Sequence, residues 1–446
     1  MSKLALLGGE KSVQGNIPAD LFKWPIITEE DEAAVLEVLR RAGMSGTDVT
    51  EKFEKEFAEW NDTKYAIGAA NGTMALQGAM YACKLGVGDE LICPSKTYWA
   101  SAIQAFNLGA TVVFADIDPY SLCISPKDLE RCIGPRTKAI MAVHYLGHPC
   151  DMDPILEIAN KYGIKVIEDI SHAQGGMYKG RKLGTIGYVG AMSLMSGKSF
   201  ATGEMGMVVT NDKEAHDRAL AYMHYDRNTS KNISTDYLLP YLGMPLGGMK
   251  GRVNQTCAAM GRVQLKYYDE RTTEIRKAMN YFWDLLEDVP GILPHRTNEA
   301  KGTTMGGWYA AHGIYKPEEL EGLSVQKFCE AVSAEGFGTW PGGNYPLHKH
   351  AIFQTFDAMN TGKPTRVAFA ERDVRELDKD LPVCEGIKIY SIPWFKKYMP
   401  EYIEMHANAF KKVAENYKDL LDSDPNRDKD VISGRWHFYA HHKDDN

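Results

Sequence analysis

The chain has 446 residues, 51 basic against 59 acidic side chains, and a formal net charge of −8. That balance argues against nucleic acid as the main partner, because phosphate binding needs a concentrated basic surface. Hydrophobic residues at 44% and charged residues at 25% are ordinary for a globular enzyme, and the length predicts roughly two or three domains, or one large α/β domain with a smaller companion.

The N-terminal MSKLALLGGEKS has an apolar core too short for a signal peptide, and no run of about 18 apolar residues follows. The eight cysteines (Cys83, Cys93, Cys123, Cys132, Cys150, Cys257, Cys329 and Cys384) form no CxxC pair. These features predict a cytoplasmic protein with reduced thiols and no zinc framework. Helical patterns are predicted over residues 50–60, 73–85, 98–108, 125–132 with a Ser-Pro start, and 151–162. Between and after them come β-prone runs at 65–69, 90–93, 111–115, 139–144, 164–168, 189–195 and 207–210. Seven strands alternating with helices predict a mainly parallel sheet covered on both faces, with ligands beyond the carboxyl ends of the strands. Residues 255–287 predict a long helix with Ala258, Val263, Leu265, Ile275, Met279, Phe282 and Leu285 on its buried side, ended by Pro290-Gly291. The expected division is a large domain with an N-terminal arm over 1–265, a smaller domain over 266–425 and a polar tail over 426–446. The HFYAHH stretch of that tail reads as a disordered or docking segment.

Three motifs carry chemistry. Asn71-Gly72-Thr73 follows a strand and opens a helix; glycine lets the backbone approach an anion and free N–H groups at a helix start favour phosphate, although the same letters make a plain N-capped turn. Glu168 and Asp169 close a β run at the sheet's carboxyl edge, with His172 just beyond. A buried carboxylate there needs a cation or several hydrogen bonds, and a protonated pyridine nitrogen would serve. The competing reading makes Asp169 a turn cap and His172 a hydrogen-bonded core residue. Lys198, within MSLMSGKSFATGEMGMVV, follows Ser193 among Gly197, Gly203 and Gly206. It either points into water or loses its proton to attack a carbonyl or a pyridoxal cofactor. Each motif is weak alone, but the order N-G-T, E-D, S-x-x-x-G-K is specific. His144 and His148 have i, i+4 spacing but no helix to present them together, so no metal site is expected. Lys179, Arg181 and Lys182 read as a solvated hairpin or as a contact for a substrate phosphate.

On these motifs the chain resembles the DegT/DnrJ/StrS family of sugar aminotransferases, which share the aspartate aminotransferase-like fold of pyridoxal phosphate (PLP) enzymes. The similarity runs from LALLGGEKSV and Trp24-Pro25 through SGTDVTEKFEKEFAEW to about Leu265, with looser matches in YPLH (345–348) and SIPWF (391–395). The resemblance implies an α/β fold with a large PLP-binding domain and a smaller α+β domain. It implies that Gly72 and Thr73 hold the PLP phosphate with help from the Ser193 hydroxyl. Tyr98, in PSKTYWAS, would lie against the cofactor; Asp169 would pair with the pyridine nitrogen, His172 would sit beside the ring, and Lys198 would form the Schiff base. GGMKGRVNQTCAA falls where the family has a loop reaching the partner subunit's site, which implies a homodimer with composite active sites. Arg252 matches the motif arginine and is expected at the substrate. Lys250 replaces the Asn of many nucleotide-sugar members and is expected at the cofactor phosphate. A lysine there, with the LALLGG leader, is similar to the branch acting on keto-cyclitols, and Met205 in GEMG replaces a frequent glycine.

The resemblance therefore implies transfer of the amino group of L-glutamine or L-glutamate to a ketone on a cyclitol or sugar. The alternatives are a nucleotide diphosphate keto-sugar acceptor, a PLP-dependent sugar dehydratase, and a PLP-binding regulatory protein without turnover. Lys198 counts against the dehydratase, where histidine typically takes that position.

Overall fold

Runs of β-prone residues become strands within two residues of their expected ends: β1 (Tyr65–Ala69), β2 (Glu90–Pro94), β3 (Thr111–Ala115), β4 (Thr137–Val143) and β5 (Lys165–Asp169). A short hairpin of β6 (Met177–Tyr178) and β7 (Arg181–Lys182) follows, then β8 (Val189–Ser193) and β9 (Gly206–Thr210). The computed structural model describes residues 3–427 together with Lys429, Ile432 and Gly434. HFYAHH lies outside the described residues. Among them, seven strands form one sheet in the order β1-β9-β8-β5-β4-β2-β3. Only β9 runs against its neighbours β1 and β8. β2, β3 and β9 are buried along their whole length, as strands covered on both faces must be. The register pairs Val143 with Asp169 and Asp169 with Ala191, so the carboxyl ends of β4, β5 and β8 lie level.

The covering helices are α1 (Glu29–Arg40), α2 (Asp48–Trp60), α3 (Gly72–Ala82), α4 (Ala100–Ile103), α5 (Pro126–Cys132), α6 (Met152–Tyr162) and α7 (Lys213–Met223). The helix expected over 98–108 is broken into α4 and a separate turn at Phe106–Leu108. Its start has no side-chain cap: the hydroxyl of Ser101 is spent on Asp169, and that of Thr97 on Ser101. Gly109, at φ 72°, ends the second turn. α3 stops three residues short of expectation, where Cys83 caps it and Lys84 turns left-handed at φ 59°.

α8 (Gln255–Asp284) spans 30 residues and joins two cores. Ala258, Val263, Ile275, Met279 and Phe282 are buried as its period predicts, while Leu265 and Leu285 are only partly covered. Its N-terminal half packs on the sheet core and its C-terminal half on a second core. The second core holds the antiparallel sheet of β10 (Ile292–Leu293), β11 (His312–Tyr315) and β12 (Ile389–Ser391). It also takes in Leu4 and Leu21 of the N-terminal arm. α9 (Val325–Ala334) belongs to it, whereas Phe353 of α10 (Ala351–Gln354) and Cys384 of α11 (Pro382–Gly386) pack on the sheet core; α12 (Pro400–Glu415) returns to the second. The Arg366–Asp378 pair, 2.6 Å apart, is buried in the segment that covers β3, with the guanidinium 4.5 Å from the Phe114 ring.

Candidate active site

The site lies at the sheet edge where the strands' carboxyl ends meet the start of α3. Asn71, extended at φ −162°, caps that helix by accepting the Met74 N–H on Oδ1 at 2.9 Å. The first-turn N–H groups of Gly72 and Thr73 have no acceptor within the helix, so they present an anion seat. A Cβ on Gly72 would stand 2.5 Å from the Ser193 Cβ, and one on Gly206 would stand 2.3 Å from the Asn71 carbonyl oxygen. The start of α3 and the ends of β8 and β9 therefore meet at contact distance, and only glycine permits it. Ser193 brings its hydroxyl to this corner, where Oγ accepts the Met195 N–H at 3.3 Å.

Strand alternation divides the two acids of the E-D pair. Glu168 is fully buried and faces His144, whose Nε2–H donates to it at 3.1 Å while Nδ1 accepts the Cys150 N–H at 3.0 Å. Burial pushes the Glu168 carboxyl up, but His144 and the N–H groups of Gly184 and Gly187 outweigh it and hold the pKa below the usual value. Glu168 is thus a structural anchor. His148 is separate from His144: its Nδ1 bonds Pro149 O at 2.8 Å and its ring stacks on His295 at 5.3 Å. Among the described residues no cluster of three or more His, Cys, Asp or Glu could hold a metal.

Asp169, next along β5, points the other way. It accepts the Ser101 Oγ–H at 2.7 Å and the Ser171 N–H at 3.0 Å, is 4% exposed, and has no ion-pair partner among the described residues. His172 is buried, and its Nδ1 accepts the Leu146 N–H at 3.2 Å, which places the ring proton on Nε2. Burial first, and then the charges of Lys198 and His312, hold its pKa well below the usual value, so the ring is neutral.

Lys198 sits on the loop between β8 and β9. Its N–H donates to Met195 O at 2.8 Å, and the Ser199 hydroxyl beside it donates to Gln174 Oε1 at 2.7 Å. The ammonium does not reach open water. It lies 3.9 Å from the centre of the Tyr309 ring, the residue is 8% exposed, and among the described residues Nζ has no hydrogen-bond or ion-pair partner. Burial brings the amine down to about 8, with Asp169 opposing. Such a group is half-way to the neutral form a nucleophile needs. Met205 is buried and its carbonyl accepts the Leu194 N–H at 2.8 Å, which closes the base of the same loop.

The remaining expected residues separate into two sets. Tyr98 lies at the carboxyl end of β2, 37% exposed, its ring 4.3 Å from that of Trp99 and three residues before the serine bonded to Asp169. Lys250 is exposed, 5.9 Å from the Tyr225 ring, and Arg252 is paired with Asp226 at 2.7 Å and donates to Ser45 O at 3.1 Å. Their contacts are thus with Tyr225, Asp226 and Ser45 instead of with Lys198, Asp169 or His172. Lys179 and Arg181 pair with Asp153 and Lys182 with Asp62, which makes the basic cluster a salt-bridged hairpin. Sequence reading missed Tyr309, 4.8 Å from the His172 ring, and Trp394, which meets Tyr309 edge-on at 5.9 Å. It also missed that the Trp24 indole N–H donates to the Lys198 carbonyl at 2.8 Å.

PLP fits this arrangement on three counts. Among the described residues Asp169 is a buried carboxyl group with no ion-pair partner, Lys198 a buried amine with none, and α3 a helix start with open N–H groups; a pyridinium, an aldehyde and a phosphate would complete them in turn. The comparisons agree. Residues 25–375 match the DegT/DnrJ/EryC1/StrS aminotransferase family. The GDP-perosamine synthase of Escherichia coli O157:H7 is 37% identical over 58% of this chain and 69% of that protein. The L-glutamine:2-deoxy-scyllo-inosose aminotransferase of Streptoalloteichus tenebrarius is 29% identical over 84% of this chain and 90% of that protein. The solved aminotransferase from Psychrobacter cryohalolentis superposes with a TM-score of 0.75 at 28% identity, covering 89% of this chain and 99% of that one. With the lysine, the carboxylate and the helix start in place and the match spanning most of its length, the chain belongs to the DegT/DnrJ/EryC1/StrS aminotransferase family and is a PLP-dependent aminotransferase.

Proposed function

We propose that this enzyme moves the amino group of L-glutamine or L-glutamate to a ketone on a cyclitol or an unactivated sugar, in amino-cyclitol or amino-sugar biosynthesis. The reach of the similarity supports this acceptor class: the inosose aminotransferase aligns along 84% of this chain at 29% identity, the perosamine synthase along 58% at 37%. An arginine of the 224–252 segment points the same way, since Arg227 is committed to Glu54. A diphosphate would want such side chains free.

When bound, PLP supplies the electron sink that lets the donor's Cα–H bond break. In this reading the Gly72 and Thr73 N–H groups and the Ser193 hydroxyl hold its phosphate, Asp169 keeps its ring nitrogen protonated, and Tyr98 and His172 flank the ring. Lys198 would hold the cofactor through Nζ, and that amine, brought down to about 8 by burial, would take the proton from the donor's α-carbon and hand it on. His172 donates a hydrogen bond through Nε2 without adding charge, and Tyr309 covers Nζ and narrows the approach of water.

We infer a homodimer in which Lys250 reaches the partner's cofactor phosphate and Arg252 the partner's substrate, supported by side-chain contacts that lie with Tyr225, Asp226 and Ser45 and not with Lys198, Asp169 or His172. We place the enzyme in a reducing cytoplasm, supported by eight free thiols, seven of them buried; among the described residues no helix is long and apolar enough to cross a membrane.

Competition decides the acceptor. Enzyme loaded with the amino form of the cofactor is offered an inosose and a nucleotide diphosphate keto-sugar together, and the amino products are quantified by mass spectrometry. Preferential amination of the inosose is expected. Preference for the nucleotide-linked ketone would overturn the cyclitol reading and establish the alternative.

A further inference from the structure

The N-terminal arm binds the second core to the loop that carries Lys198. Ala5 N–H and Ser12 N–H donate to the Glu335 carboxylate at 2.8 and 3.0 Å, and Val13 N–H donates to the Glu335 carbonyl at 2.9 Å. Lys412 fixes that carboxylate at 2.9 Å. Leu4 and Leu21 are buried in the second core, Leu21 O accepts the Lys396 N–H at 2.8 Å, and the Phe22 ring stacks on Phe395 at 5.6 Å. Two residues later the arm crosses to the catalytic loop, where the Trp24 indole N–H meets the Lys198 carbonyl. Among the described residues that carbonyl is given no other donor.

The indole is itself seated from the second core. Its ring packs 6.1 Å from that of Trp394, and the Lys396 amine, brought down to about 5 by burial, stands over both, 5.5 Å from the Trp24 centroid and 2.7 Å from that of Trp394. Lys396 is 6% exposed and pairs with no carboxylate among the described residues; its Nζ donates to Trp394 O at 3.3 Å. Trp394 also donates its indole N–H to Gly307 O at 3.1 Å. A Cβ on Gly307 would stand 2.2 Å from Ser199 Oγ, so this loop presses on the residue after Lys198 while Tyr309 covers Nζ. The second core therefore grips the lysine twice, at the carbonyl through Trp24 and at the amine through Tyr309.

We propose that Trp24 is a positioning residue for Lys198: its indole N–H fixes the lysine's backbone so that Nζ stays in the buried seat over Tyr309, and the arm makes that seat depend on the second core. The proposal rests on the reading of Lys198 as the lysine that bonds the cofactor. A loop held only by its own Gly-rich backbone would let the amine swing toward water, and small displacements of a reacting group cost large factors in rate.

Trp24→Phe removes the donor and keeps a ring for Trp394 and Lys396. In the apoprotein, the pH dependence of Lys198 acylation by an amine-reactive reagent, read by mass spectrometry of the lysine's peptide, gives the amine's midpoint without cofactor. The parent midpoint is expected near 8. In the variant, acylation at that pH should fall at least about threefold as the amine recovers its ordinary basicity. In the holoenzyme, kcat of the half-reaction with L-glutamine should fall about tenfold while KM stays within about twofold. Lys396→Met, which leaves the N–H and loosens the seat of the ring, should give the same two changes in smaller measure and serves if Trp24→Phe does not fold. A variant that loses thermal stability yet keeps the parent's acylation midpoint and kcat would overturn the proposal, and so would one unchanged in all three. Failure of the cofactor reading looks different: Lys198→Ala holoenzyme would then keep the parent's cofactor absorbance, while the apoprotein acylation result would stand.

Discussion

A lysine buried without a counter-ion leaves a mark on stability as well as on reactivity. In the unfolded chain the Lys198 amine holds its proton up to about the ordinary 10.5, whereas in the folded apoprotein it releases it above about 8. Between those values the unfolded state binds more protons, so stability rises with pH across that window and the contribution is lost as pH falls through it. The full span corresponds to about 3 kcal/mol. Urea unfolding of apoprotein and Lys198→Met at pH 8 and pH 10.5 isolates it, because Lys396 and the tyrosines titrate alike in both. The parent should gain stability relative to the variant as pH rises; an unchanged difference would mean that the amine is solvated. Asp169 makes the complementary case. Asp169→Asn keeps the hydrogen-bonding shape but removes the charge, and kcat of the donor half-reaction should drop by about a hundredfold or more, with cofactor affinity less affected. A loss of affinity alone, at an unchanged single-turnover rate, would contradict the pairing with the ring nitrogen.

At the scale of elements, the junction of α3 with β8 leaves no room for a side chain. Gly72→Ala would drive a methyl group to 2.5 Å from the Ser193 Cβ and 2.7 Å from its Cα. Neither atom sits at the end of a flexible chain, so the helix start must back away from the strand. The expected cost is about 1–3 kcal/mol, together with weakened PLP binding, measured by equilibrium dialysis beside a thermal melt. Normal PLP affinity in a destabilised variant would move the phosphate seat elsewhere. This junction was legible in the sequence because both sides carry local signals: a strand run into Asn-Gly-Thr, and a strand run into Ser193. The sheet was legible for the same reason, since buried parallel strands are continuous β-prone runs. The loop over 305–310 was not. Gly307, Trp308 and Ala310 all take left-handed φ values of 49°, 58° and 52°, and nothing in the letters Trp and Ala announces that backbone. The strands β10 to β12 are two to four residues long, too short for a period to appear. Trp24 was visible only as part of a motif, because its partner lies 174 residues away and no local pattern encodes such a bond. Glu168 and Asp169 were legible as a pair but not as two roles; the division appears only when strand alternation turns one toward His144 and the other toward Ser101.

On the scale of the molecule, the chain places Lys198 between two cores and leaves Lys250 exposed. An exposed lysine whose described contact is the Tyr225 ring at 5.9 Å has no structural duty in its own subunit, so its removal should leave folding intact. If it completes the partner's site, Lys250→Ala should lose most activity although the Lys198 of the same chain is untouched. Mixing then separates a shared site from a self-contained one. Lys198→Ala and Lys250→Ala proteins should each be nearly inactive; after unfolding and refolding together in equal amounts, half of the expected dimers would carry one of each chain. In such a dimer one site receives both defects and the other receives none, because its Lys198 comes from one chain and its Lys250 from the other. Recovery of about a quarter of the parental activity is therefore expected for a twofold assembly with composite sites. Recovery should grow with the fraction of mixed dimer resolved by differential tagging. A self-contained site would give no recovery at any mixing ratio, and Lys250→Ala with full activity on its own would remove this lysine from the chemistry altogether.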